Sequence, residues 1–328
     1  MKVGVVGTGM IVRMVCPNFK DWGIEAVAVA GTPTSMDEVN ELADQWGAAG
    51  RYSDYHDLMA DPEVDTVYVA VPNFLHYAVS ETAILAGKDV VCEKPLASNE
   101  REVAKLAALA KKHGRFLWEA VVTTRQPNFK LVRDELLPKI GTVKAVSVNY
   151  SQYSSRYDAF RAGEVLPAFD PAKAGGAIMD IGLYTLTYTL GLFGEPKSAT
   201  YHANIERGID TSGLVVMGYD GFTATNVCAK DSDGALGATI QGTDGWIKTD
   251  TGANFCGPVT FCANGGEPEV IDRSLPVMWE GEFREFRRQQ ESGDLEECYR
   301  QLDESLLVSR IQNTIRREAG VIFPADEA

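Results

Sequence analysis

Residues Val90 to Ser98 read VVCEKPLAS, an apolar run that stops at a glutamate and a lysine. Such a run, followed by opposite charges and a proline, describes a buried strand leaving its sheet, with Glu93 and Lys94 at its carboxyl end. In an open α/β sheet that end is where ligands sit. Taken alone, the pair also fits a solubilising surface ion pair. Two further stretches bear on the choice. Gly7-Thr8-Gly9 follows a strand and precedes a helix, so bare backbone N–H groups and a helix N-terminus, with Met10 and Ile11 in its first turn, can meet a pyrophosphate. Asp180 and Tyr184 are four apart, which on one helix puts a carboxylate and a phenol on one face. A nearby cation favours phenolate, and so could make a proton acceptor of a group whose free pKa is about 10.

The elements that must position these groups follow from periodicity. Strands are expected at Lys2–Val6, Ile24–Ala30, Asp65–Val71 and Asp89–Cys92, alternating with amphipathic helices, which implies βαβ units and a doubly wound parallel sheet. SMDE at Ser35 to Glu38 fits a capping box for a helix ending near Gly47, and Asn99 with Glu102 caps one that runs to His113. From about residue 121 the pattern changes to strands joined by short turns, Val143–Tyr150, Ser198–Ile205, Gly213–Met217, Thr223–Cys228, Gly237–Gln241 and Trp246–Asp250, which predicts an open, mainly antiparallel sheet. A helical stretch over about 176–192 and a last helix over about 295–317 complete an α/β chain of two domains, 1–120 and 121–328.

The glycine pair is imperfect as a dinucleotide fingerprint, because Val12 stands where a third small residue would let helix and strand approach, and alone it equally describes a plain turn. The second strand ends VAGTPTS, with neither the acidic residue that pairs with a ribose 2′-hydroxyl nor an arginine for a 2′-phosphate. Hydroxyls of Thr32, Thr34 and Ser35 could bond a 2′-phosphate, although Ser35 is also the helix cap named above. The balance leans to NADP over NAD.

With 46 acidic against 31 basic residues, the formal charge of −15 disfavours nucleic acid and anionic membrane surfaces as partners. The basic cluster Arg284 to Arg288 is interleaved with Glu285 and Phe286 and reads as the solvated face of a helix. No apolar run approaches membrane-spanning length, and no signal-peptide pattern opens the chain, so a cytoplasmic location is expected. The six cysteines form no C-x-x-C and lack histidines at ligand spacing, which points to free thiols and to no metal.

AVPNFLHY (Ala70 to Tyr77), AGKDVVCEKPLA (Ala86 to Ala97) and GGAIMDIGLY (Gly175 to Tyr184), in that order, resemble the signatures of the Gfo/Idh/MocA oxidoreductases, in particular the branch of dimeric dihydrodiol dehydrogenase and glucose-fructose oxidoreductase. The resemblance covers essentially the whole chain and reverses the ion-pair reading of Glu93 and Lys94. It implies an N-terminal Rossmann domain and a substrate domain whose last helix returns to brace the domain junction. It implies hydride transfer between NAD(P) and a secondary alcohol or carbonyl of a sugar, polyol or cyclic diol, with Lys94, Asp180 and Tyr184 catalytic. Lys94 would lie near nicotinamide and substrate, with its bond to Pro95 open between cis and trans, and Tyr184 would exchange the hydroxyl proton. Val71, Pro72 and Asn73 would line the cofactor crevice beside Glu93, with His76 behind, unless His76 is simply a helix-start residue satisfied by backbone. Relatives place an aromatic and a basic residue after the position of Ala120; here VVTTRQPNF leaves Arg125 as the nearest equivalent. Arg156, with Arg161 and Asp170, is a further candidate contact for a polyhydroxylated substrate. The resemblance also implies a homodimer or homotetramer through the C-terminal sheet. A non-catalytic sensor of the nicotinamide redox state is the alternative, and intact Lys94, Asp180 and Tyr184 argue against it.

Overall fold

β-Branched runs and amphipathic helices alternate through the first 120 residues of the computed structural model, which describes residues 1–327. They form β1 (Lys2–Val6), α1 (Met10–Val15), β2 (Glu25–Ala30), α2 (Met36–Trp46), β3 (Gly50–Tyr52), α3 (Tyr55–Ala60), β4 (Thr66–Val69), α4 (His76–Leu85), β5 (Asp89–Glu93), α5 (Glu100–His113) and β6 (Leu117–Ala120). The six strands are parallel in the order β3-β2-β1-β4-β5-β6, the doubly wound Rossmann arrangement expected. β4 is buried along its whole length because both faces of the sheet are covered, which is why it reads as an unbroken apolar run. The α5 cap is reciprocal: Asn99 accepts from the Glu102 N–H at 3.0 Å, and Glu102 accepts from the Ser98 N–H at 3.0 Å.

One expected cap is displaced. Ser35 precedes α2, but its backbone lies outside the extended geometry of a capping residue and its side chain makes no bond to that helix. Its hydroxyl instead accepts from the Thr32 N–H at 2.8 Å, closing a box around the turn Pro33–Ser35.

The remaining elements are α6 (Pro127–Leu131), β7 (Val143–Ser151), α7 (Ser155–Arg161), α8 (Ala177–Asp180), α9 (Gly182–Phe193), β8 (Ser198–Glu206), β9 (Ile209–Tyr219), β10 (Phe222–Ala229), β11 (Gly237–Gly242), β12 (Gly245–Thr249), β13 (Val259–Ala263), β14 (Glu269–Ile271), α10 (Glu280–Ser292) and α11 (Leu295–Glu318). Strands β7 to β14 form the order β14-β13-β12-β11-β7-β10-β9-β8. As expected the sheet is mainly antiparallel; β7 and β10 are its parallel pair. The helical stretch expected over 176–192 is two helices, interrupted at Ile181, so Asp180 ends one and Tyr184 lies in the first turn of the next.

The chain divides into two units, Met1–Ala120 with Glu282–Leu306, and Val121–Gly281 with the chain from Leu307 onward. Glu282–Leu306 joins the first unit because α10 is amphipathic. Arg284 and Arg288 are exposed, as the charge pattern implied, but Arg287 is half-buried and donates to the Trp22 carbonyl at 2.8 Å, Phe283 stacks on Trp22 and Phe286 on Trp118, and the Trp118 indole donates to Gln289 at 2.7 Å. In the second unit α9 packs on the sheet, with Asn226 of β10 donating to the Thr185 carbonyl at 2.8 Å and accepting from Thr189 at 2.9 Å. Among the described residues no helix is long and apolar enough to cross a membrane.

Candidate active site

The parallel order of the first sheet brings the tips of β2, β1, β4 and β5 side by side, and with them most of the expected cofactor residues. The two glycines of the first turn do different work. Gly7 has φ +123°, and a Cβ there would meet the Ala70 carbonyl oxygen at 2.2 Å, so this glycine lets the chains leaving β1 and β4 close on each other. Gly9 caps α1 in an extended conformation, and a Cβ there would meet no protein atom within 4 Å. Gly9 and Met10 are exposed and Ile11 half-buried, whereas Val12 is fully buried and fills the position where a third glycine was sought. Thr32 and Thr34 are exposed at the β2 tip, their hydroxyls 3.0 Å apart, with Ser35 Oγ 3.1 Å from Thr32 Oγ1. Bare N–H groups at a helix start, open space before Gly9 and a hydroxyl cluster without a carboxylate fit the phosphates of a nicotinamide dinucleotide.

Val71, Pro72 and Asn73 follow β4, and Pro72 is exposed. Beneath them His76 is buried, with Nε2 2.8 Å from the Val71 carbonyl and Nδ1 2.6 Å from the Pro95 carbonyl. Burial pulls its pKa below the ordinary histidine value, with Lys94 adding to the shift, against the pull of the two carbonyls. His76 thereby sits between the turn after β4 and the turn after β5, and as a neutral ring it donates its one N–H to one of these two carbonyls. At the β5 tip Glu93 accepts from the Tyr68 hydroxyl at 2.6 Å, and burial raises its pKa. Lys94 is half-buried and its bond to Pro95 is cis. Glu119 holds the far side of this turn by accepting from the Leu96 N–H at 2.9 Å.

In the second unit GGAIMDIGLY is anchored from below by Asp210 of β9. This carboxylate is buried and accepts from the Ile178 N–H at 2.7 Å and the Tyr201 hydroxyl at 2.8 Å; desolvation pushes its pKa up to about 6. Gly176, at φ +108°, passes so close that a Cβ would meet Asp210 Oδ1 at 2.2 Å. The α8 turn therefore has one placement, and Asp180 at its end is delivered to a cavity of about 290 Å³ lined also by Gln152, Ser154, Ser155, Arg156 and Lys230. The Lys230 ammonium, 4% exposed, donates to Asp180 Oδ2 at 2.6 Å. Tyr184 is half-buried, its ring 5.9 Å from that of Tyr150. A cavity of about 640 Å³ in the first unit, between Cys16–Ala26 and Trp46, holds none of the expected site residues.

Arg156, exposed at the start of α7, shares the Asp180 cavity, while Arg125 does not. Arg125 is buried in the turn Thr123–Arg125, where it donates to the Thr124 hydroxyl at 3.0 Å. Arg161 is exposed outside the cavity lining, and Asp170 caps a turn by accepting from the Ala172 N–H at 2.9 Å. Two residues escaped the sequence reading, Lys230 and Asp210. Lys230 had a legible signal: Val227-Cys228-Ala229-Lys230 is another apolar strand running into a lysine. Asp210 had none, because an aspartate after Gly208 reads as turn residue, and its burial depends on the helix above it.

Residues 1–121 match the family model described as an oxidoreductase family with an NAD-binding Rossmann fold, GFO_IDH_MocA, and residues 138–248 match its C-terminal domain. The chain is 38% identical over 297 residues to scyllo-inositol 2-dehydrogenase (NADP(+)) of Bacillus subtilis, covering 90% of each. It is 30% identical to trans-1,2-dihydrobenzene-1,2-diol dehydrogenase of Danio rerio, covering 92% of this chain and 91% of that one. Its fold is that of the 3-ketoreductase of Actinomadura kijaniata solved with NADP and TDP-benzene, at TM-score 0.83 and 22% identity over 98% of this chain and 99% of that one.

Proposed function

The chain belongs to the Gfo/Idh/MocA oxidoreductases and is NAD(P)-dependent; on that premise we propose that its substrate is a sugar, polyol or cyclic diol, and that Lys94, Asp180 and Tyr184 are its catalytic residues. The observation that carries the substrate class is the cavity at Asp180, whose lining offers amide, hydroxyl, guanidinium, ammonium and carboxylate groups to a polyhydroxylated molecule. The relatives' names point the same way, since scyllo-inositol and the dihydrobenzene diol both carry adjacent secondary hydroxyls.

Nicotinamide supplies or receives the hydride. In the oxidative direction Tyr184 takes the proton of the reacting hydroxyl while its carbon gives up hydride, and in the reverse direction it returns that proton. The Lys94 ammonium stabilises the developing alkoxide and favours phenolate at Tyr184. Asp180 accepts from a substrate hydroxyl, and Arg156, sharing its cavity, binds a more distant oxygen. Backbone N–H groups of Gly9, Met10 and Ile11 hold the pyrophosphate; Val71, Pro72 and Asn73 line the crevice, braced by His76 and Glu93. Thr32 and Ser35 bond the 2′-phosphate, which favours NADP. Residues 1–120, which Glu282–Leu306 join, thus bind dinucleotide, and Val121–Gly281 with the chain from Leu307 onward bind substrate and a second copy of the chain. A cytoplasmic setting accords with six buried cysteines that form no disulfide.

The test is to titrate NADPH and NADH by fluorescence, then follow reduction of NADP+ and NAD+ with scyllo-inositol, D-xylose and trans-1,2-dihydrobenzene-1,2-diol. Tighter NADPH binding and NADP+-dependent turnover of at least one compound are expected. Cofactor binding without turnover of any of them would overturn the catalytic assignment.

A further inference from the structure

Lys230 is the most deeply buried charge in the Asp180 cavity, and the fold fixes it at both ends. Its N–H donates to the Thr211 carbonyl at 2.9 Å, and its carbonyl accepts from the Ser154 N–H at 2.9 Å, so its backbone joins β9 to the residue that caps α7. The ammonium lies 5.1 Å from the centre of the Phe169 ring and makes its charge-assisted hydrogen bond to Asp180. An ammonium has three donors. One is spent on Asp180, and the group faces a polar cavity. Burying an ammonium is unfavourable, and its pairing with Asp180 only offsets that; in a purely structural role an apolar side chain of similar length would pack against Phe169 without either charge. Next to it Asp180, about one-third exposed, presents an acceptor.

We propose that Lys230 is a specificity-determining residue of the substrate site, and that its ammonium and the Asp180 carboxylate together read two adjacent oxygens of the substrate, a vicinal diol or a hydroxyl next to a carbonyl. A donor beside an acceptor suits that pair, because one hydroxyl donates to the carboxylate while its neighbour accepts from the ammonium. A lone alcohol satisfies only one of the two groups and leaves the other desolvated. The inference rests on the proposed substrate site and narrows its substrate class.

The charged and titratable groups around the pair include Arg156 from α7, Tyr153 before it, Asp210 from β9 and Cys228 from β10. The test therefore reads binding and specificity, with pH held constant. Affinities of scyllo-inositol and cyclohexanol for the NADP+-loaded protein are measured by ligand-observed NMR in wild type, Lys230→Met and Lys230→Arg, beside NADPH affinity and thermal stability. Wild type is expected to prefer scyllo-inositol by at least about a hundredfold, the range seen when a site loses a hydrogen-bonding partner. Lys230→Met is expected to lose most of that preference while NADPH affinity is unchanged, and Lys230→Arg to recover part of it. If Lys230→Met does not fold, Lys230→Leu, which likewise removes every donor while keeping apolar contact with Phe169, replaces it with the same expectation. An undiminished preference in the folded variant would overturn the proposal, as would a wild type that binds neither compound. Turnover independent of Lys230 would overturn this inference and leave the oxidoreductase reading intact; diol-selective binding without turnover would do the reverse.

Discussion

Asp210 touches no expected substrate or cofactor group, yet it is the carboxylate on which the placement of Asp180 depends. Its pKa, about 6 in the folded protein against 3.8 for a free aspartate, means the folded state holds a proton that the unfolded chain has released. The stability it contributes is therefore fully present below pH 3.8 and is lost as pH rises through about 6. Asparagine keeps the acceptor oxygen without the charge. Relative to Asp210→Asn, the wild type should lose stability between pH 4 and pH 7, by an amount on the order of 3 kcal/mol. Urea unfolding of both proteins across that range measures it; parallel curves would show that Asp210 is not the group whose burial matters. Lys94 and Tyr184 belong to this scale too: charges at a strand end and a phenol four residues from a carboxylate are local patterns, but for Lys94 that pattern alone fits a surface ion pair, and it is the family resemblance that proposes it as catalytic.

At the scale of elements, the α8–α9 pair carries Asp180 and Tyr184 of the proposed substrate site. Gly176 is held at φ +108° with the Asp210 oxygen where a side chain would go, so Gly176→Ala meets both a backbone penalty and a clash. The expected loss is at least about 2 kcal/mol of stability, accompanied by loss of turnover, with NADPH affinity retained. Thermal unfolding and cofactor fluorescence check it, and a fully active, equally stable variant would contradict the anchoring described here. The same elements show what periodicity conveys and what it omits. β1 and α5 begin and end where alternation and capping chemistry place them, because those signals are local. The break at Ile181 was hidden, since a helix running through GGAIMDIGLYTL has the same apolar spacing as two helices abutting. The displaced cap at Ser35 was equally hidden: SMDE satisfies the capping pattern, and only the backbone angles decide which turn the hydroxyl serves. β3, three residues long, and β14, likewise three, are too short for any period to show.

For the whole molecule, the second sheet raises the question of partners. Val215, Met217, Ala224 and Ile247 point into the core of their unit, while the alternate residues Leu214, Val216, Val227 and Trp246 lie on the opposite face and are only half-buried. The latter four sit among Ser147, Thr200, Thr225 and Gln241 on a face of mixed polarity; half-buried apolar residues in such a setting suit pairing with a second copy, which supports the homo-oligomer proposed above. Sedimentation velocity should give at least twice the chain mass of 35.7 kDa, and Leu214→Lys with Val216→Lys should return the protein to monomer. A monomeric wild type at micromolar concentration would remove this part of the account. The central proposal, that Lys94 and Tyr184 serve one reaction, is tested most directly by kcat/KM for scyllo-inositol oxidation in Lys94→Ala, Tyr184→Phe and the double variant. Each single change is expected to lower it by about a hundredfold or more, with the double variant within about tenfold of the worse single, as residues acting together behave. Losses that multiply in the double variant would mean that the two side chains act independently, and would contradict the account.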